Sequence, residues 1–153
     1  MNPRLPFEQT TISVAKSQME IKEKLYSIGF SRIAELTEAD GRKVIIADYG
    51  DSNKQVSFQF EGNPQKIMEL QPKLDREQAE RVAWRVIWHH VKLVHDLIKH
   101  GLLDVVDAFA GNLLLTDKAG RPQTMSDFIK IGIEQGKLIS ESIADKFLLE
   151  KAK

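Results

Sequence analysis

Six side chains between Arg81 and Lys99 could do binding chemistry together: the cations Arg81, Arg85, Lys92 and Lys99 and the indoles of Trp84 and Trp88. Guanidinium and ammonium groups neutralise phosphates, and an indole face stacks on any base. Cations beside tryptophans therefore suit a single nucleic-acid strand held with little sequence preference. Large aromatics beside arginine are also the anchors of protein interfaces. At 100° per residue the four cations share one side of a helix. Ala79, Val82, Ala83, Val86, Ile87, Leu93, Val94, Leu97 and Ile98 share the broad apolar face that should meet a core. Trp84, Trp88, Val91 and His95 run along the edge between them. Arg81, Arg85, Lys92, Trp88 and Trp84 are thus the candidate nucleic-acid-binding set, set against the plainer reading of a solvated ridge whose tryptophans complete the core.

Other chemistries are poorly served. His89, His90, His95 and His100 fall within one helix, but zinc needs ligands converging from one face, commonly at i and i+4. Only His89 and His100 share a face, about three turns (~16 Å) apart. His90 falls among the apolar positions and is expected to be buried. Asp96 with His100 is an i,i+4 pair suited to a surface ion pair. Asp96, Asp104 and Asp107 gather near Gly101, yet Asp104 and Asp107 sit where carboxylates cap a helix and complement its dipole. No metal site and no cofactor are implied. The sequence has no cysteine, no G-x-S-x-G, no P-loop and no dinucleotide glycine fingerprint, so no nucleophile is marked and no catalytic residue is assigned.

The elements that must position the ridge read as follows. Residues 10–14 alternate as a half-buried strand. Ser17 with Glu20 forms a capping box for a helix carrying Ile21, Leu25 and Ile28 and stopping at Gly29. Strands are expected at 31–37, at 42–49 after the turn pair Asp40-Gly41, and at 54–60, with 42–49 central and Val56, Phe58 and Phe60 facing in. Pro64 and Pro72 mark 62–74 as an extended connection. Asp75 with Gln78 caps the long helix, which runs to Gly101. Asp104 opens a shorter helix using Val105, Val106, Phe109 and Leu113. After a turn at 117–122, Thr124 with Asp127 starts another helix, using Phe128 and Ile129, up to Gly136. The tail from Ser140 places Ile143 and Phe147 four apart, as in an amphipathic helix. The reading is one α+β domain over 1–153: a small antiparallel sheet in β-α-β-β-β order (10–61) packed on the long helix, followed by a helical half (75–150).

Length and composition bound the function. A chain of 153 residues can bury a core without staples, and equal numbers of acidic and basic side chains, 22 each, remove the general electrostatic argument for nucleic acid; any such footprint is local. The first eight residues lack an apolar leader stretch and no apolar run reaches membrane-spanning length, so a cytoplasmic protein without a membrane partner is expected.

Lys16-Ser17-Gln18-Met19-Glu20-Ile21, Trp84-Arg85 followed by Lys92 and Asp96 up to Gly101, Phe109, and the run from Leu113 to Leu115 leading into Asp117 form a further pattern. Through it the chain, over about residues 10–140, resembles a family of small uncharacterised proteins typical of phages, prophages and other mobile elements. Members of that family carry a richer acidic cluster before the position of Phe109, where this sequence keeps only Asp107. The resemblance implies a mobile-element setting and an accessory role, and the missing catalytic motifs make a non-enzymatic protein the expectation. Two functions follow: binding of single-stranded DNA or RNA through the ridge, or action as an adaptor or inhibitor on a host or phage protein, anchored by Trp84 and Trp88 or by the tail around Ile143 and Phe147.

Overall fold

The computed structural model describes residues 4–51 and 53–137, so the expected tail helix around Ile143 and Phe147 lies outside the described residues. It is an α+β fold. Helix α1 (Val14–Ser27) is followed by strands β1 (Phe30–Thr37), β2 (Lys43–Tyr49) and β3 (Val56–Glu61), then by α2 (Pro64–Leu70) and the long α3 (Arg76–Lys99). A short α4 (Val105–Phe109), a 3-10 turn, strands β4 (Leu114–Thr116) and β5 (Pro122–Thr124) and helix α5 (Met125–Glu134) complete it.

The three-strand sheet is antiparallel in the order β1-β2-β3, with β2 central as its apolar residues on both faces require. Ile45 and Ala47 of β2 stand opposite Phe60 and Phe58 of β3, so one sheet face presents aliphatic and aromatic groups in register. That face meets Ile21 and Leu25 of α1 and Trp84, Val91 and Val94 of α3. Phe109 closes the cluster edge-to-face on Phe60, ring centroids 5.1 Å apart. Val56, expected inside, is exposed: it lies at the start of β3, beyond the cover of the helices.

Several local expectations are corrected. No strand forms at 10–14: Ser13 caps α1 and Val14 begins it, while Gln78 Nε2 of α3 donates to Thr10 O and to Glu8 O just before the segment. The N-cap of α1 is Ser13, whose hydroxyl accepts from Lys16 N, so Ser17 and Glu20 lie inside the helix rather than forming its cap. The stretch 62–74 is not all extended: Asn63 caps α2 and Pro64 occupies its first turn, where a missing N–H costs nothing. Downstream, Asp117 turns the chain between β4 and β5, a second small sheet in place of a bare turn. Its carboxylate accepts from Ala119 N and Arg121 N, and these bonds hold its pKa below the usual aspartate value.

Other caps fall where the sequence places them. Asp75 accepts from Gln78 N, Asp104 from Asp107 N and Thr124 from Asp127 N; Gly29, Gly101 and Gly136 take positive φ at the helix ends.

Gly62 is needed for a different reason. The turn from β3 into α2 crosses α3 so closely that a Cβ there would stand 3.1 Å from Ala83 Cβ and 3.3 Å from Trp84 Cδ1. A Gly62→Ala variant is expected to lose about 1–3 kcal/mol in urea unfolding, as overpacked sites do, with no change in secondary structure.

Candidate binding face of the long helix

Helix α3 is rotated relative to the expected phase. In its C-terminal half the buried line is Val91 and Val94 with Ile87 and Ile98, so Leu93 and His90 face solvent and Val86 is partly uncovered. The reason lies upstream. The α2 helix packs along the N-terminal half of α3, and Ala79, Val82 and Ala83 are buried on a side that α2 does not reach further along. One helix thus has two different inner faces, and averaging over 24 residues blurs them.

This rotation divides the ridge. Trp84 is 2% exposed, in the core between sheet and helices, and offers no free face. Arg85, expected to point outward, is 4% exposed. Its Nη2 pairs with Glu20 Oε2 at 2.6 Å, its Nη1 donates to Ser17 Oγ at 3.2 Å, and its Cζ lies 3.7 Å from the centroid of a Trp88 ring. Charge, hydrogen bonds and a cation–π contact join in one cluster between α1 and α3. The guanidinium is committed to the fold.

Arg81 is half-buried and paired: Nη2 meets Glu77 Oε1 at 2.6 Å and Nη1 donates to Gln78 Oε1, the same glutamine that holds the N-terminal segment. Lys92 and Lys99 are exposed. Trp88 is partly buried, with Arg85 over its ring and Lys92 Nζ 5.2 Å from a ring centroid. Of the candidate set, the structure therefore brings Arg85, Trp88 and Lys92 together, with Trp84 internal and Arg81 engaged a turn away.

The histidines do not converge. His95 lies between Ser27 Oγ, 2.7 Å from its Nε2, and Asp96 Oδ1, 3.0 Å from its Nδ1, tying the end of α1 to α3. That contact lowers the Asp96 pKa. His89 meets the Phe7 ring, His90 the edge of Phe109, and His100 Nδ1 lies 2.7 Å from Asp96 O. Among the described residues no group of three or more His, Asp or Glu side chains could hold a metal ion. Asp107 has its pKa raised by its neighbour Asp104, which is occupied as the α4 cap.

The surface holds something that periodicity did not point to. Leu93 on α3, Leu102 just past its end and Val106 on α4 are all exposed, Leu102 by 74%. Leu102 N donates to Leu97 O, which carries the chain back over the end of α3. Leu93 and Val106, both expected in the core, are exposed; for Leu93 the reason is the rotation of α3. A second apolar surface lies on α5, where Phe128 and Ile129, also expected inside, are exposed together with Ile131 and Ile133.

No family model, curated protein or solved structure matches the chain. Among the described residues no helix is long and apolar enough to cross a membrane.

Proposed function

We propose that this protein is a non-enzymatic accessory protein of a mobile element that works in the cytoplasm as an adaptor or inhibitor, docking on a host or phage protein. The observation that carries this reading is the exposure of three large aliphatic side chains, Leu93 on α3, Leu102 just past its end and Val106 on α4. Exposed aliphatic groups on consecutive elements supply the apolar centre of an interface, and Lys92, Asp96 and Lys99 nearby supply a polar rim. The single-strand reading is weaker because Trp84 and Arg85, two of its five groups, are spent inside the fold. The absence of a catalytic motif in the sequence supports the non-enzymatic part.

Substitution at exposed positions leaves stability nearly unchanged, so Leu93→Lys and Leu102→Lys separate binding from folding. With each as bait in host lysate, a partner retained by the native protein is expected to be lost at least tenfold, equivalent to about 1.4 kcal/mol. Undiminished capture by both variants, with salt-sensitive retention of single-stranded oligonucleotide that Lys92→Glu abolishes, would reverse the order of the two readings.

A further inference from the structure

The three-strand sheet has two edges, and they are treated differently. Beside β3, Phe58 forms an antiparallel bridge with Leu113, and Asn112 Nδ2 donates to Gln59 O. Beside β1, among the described residues, no hydrogen bond reaches the outer backbone edge; its ladder runs to β2 alone. Every second residue of β1 therefore turns an N–H and a C=O away from the sheet, and only another extended backbone matches that row.

The usual guards of an edge are missing. Edge strands are kept from pairing by shortness, proline, lysine or a bulge. β1 is eight residues long, has neither proline nor lysine, and confines its irregularity to the stretch from Phe30 to Arg32. Its inward carboxylate, Glu35, is already paired with Lys22 of α1 at 2.9 Å. The register with β2 sorts the side chains. Ile33 and Glu35 stand opposite Ala47 and Ile45 on the face that the helices cover, whereas Arg32, Ala34 and Leu36 stand opposite Asp48, Ile46 and Val44 on the other. Ala34 and Leu36 are both exposed.

We propose that the outer edge of β1 pairs antiparallel with β1 of a second copy of this chain, about a two-fold axis through Ala34. Two antiparallel strands related by such an axis must set one residue opposite itself, so an edge open in one copy is complemented by the same edge in the other. With Ala34 on the axis, its small side chain lets the strands approach. Arg32 then stands across from Leu36 of the second copy, and its aliphatic stem covers that exposed side chain. No like charges face each other directly, and the two Glu35 carboxylates, diagonal across the axis, each bring their own Lys22. An axis through Ile33 would instead draw the irregular stretch from Phe30 to Arg32 into the ladder and set the two Arg32 side chains diagonally.

Sedimentation velocity of the full chain is expected to show a dimer at tens of micromolar protein. Ala34→Lys and Ala34→Glu each put like charges face to face on the axis. Each is expected to raise the dissociation constant roughly tenfold or more, with unchanged circular dichroism, while an equimolar mixture of the two recovers the dimer. Only a contact in which position 34 meets itself gives that recovery. If either variant fails to fold, Ala34→Cys carries the test in the otherwise cysteine-free chain: a short bismaleimide is expected to link two copies with a yield roughly tenfold or more above that in urea. A native protein that stays monomeric would leave the edge to an extended segment of another protein and overturn the inference. A dimer that survives both charged variants, a mixture that does not recombine, or linkage no greater than in urea would overturn it as well.

Discussion

Trp84→Ala is expected to lower stability by about 3–5 kcal/mol, the range for emptying a fully buried aromatic site. In a chain of this length that is a fall of roughly 10 °C in Tm. The size follows from position. Trp84 reaches the core shared by α1, the sheet and α3, and the β3–α2 turn passes within van der Waals distance of its ring at Gly62, so neighbours held by three elements cannot collapse into the space. An indole kept for stacking on a base would give the opposite pattern, a stable protein with weakened binding. Differential scanning calorimetry of the variant decides between them.

Glu20→Ala should be nearly as costly, about 3 kcal/mol, because it leaves the Arg85 guanidinium buried with only Ser17 Oγ and the Trp88 ring as partners. The penalty comes from the orphaned charge rather than from a lost attraction. Replacing both, Glu20→Ala with Arg85→Met, should therefore be more stable than Glu20→Ala alone, a reversal that an additive pair of surface residues cannot give. Arg85→Lys should not substitute, since an ammonium lacks the fork that reaches Ser17 and Glu20 together and the plane that stacks on Trp88. Urea midpoints of the four proteins measure this directly.

These two residues show where the sequence was legible and where it was not. Helix ends were readable because capping is local: Asp75, Asp104 and Thr124 each serve a backbone N–H three residues on, and Gly29, Gly101 and Gly136 supply the positive φ that ends a helix. The central strand was readable because β2 is apolar on both faces. The facing of α3 was not, since it depends on which element lies beside each turn. The α2 helix was hidden under two prolines, one of them occupying a helix's first turn. With α2 unseen, the inner face of the first half of α3 was extended along its whole length, burying His90 and Leu93 on paper and turning Arg85 outward. Ser17 and Glu20 carried the missing signal, a hydroxyl and a carboxylate on one side of α1 that suit a buried guanidinium equally well as a capping box. Nothing in α1 alone distinguishes the two.

On α3, Trp84 and Arg85 are turned into the fold, while Leu93 faces solvent. Because the chain has two tryptophans, Trp88→Phe leaves Trp84 as the sole indole while keeping an aromatic ring under Arg85. Acrylamide quenching of that variant reads the burial of Trp84. A blue-shifted emission, several-fold less quenched than free tryptophan and unaltered by single-stranded oligonucleotide at low salt, is the predicted result. A red-shifted, freely quenched emission that oligonucleotide protects would contradict it.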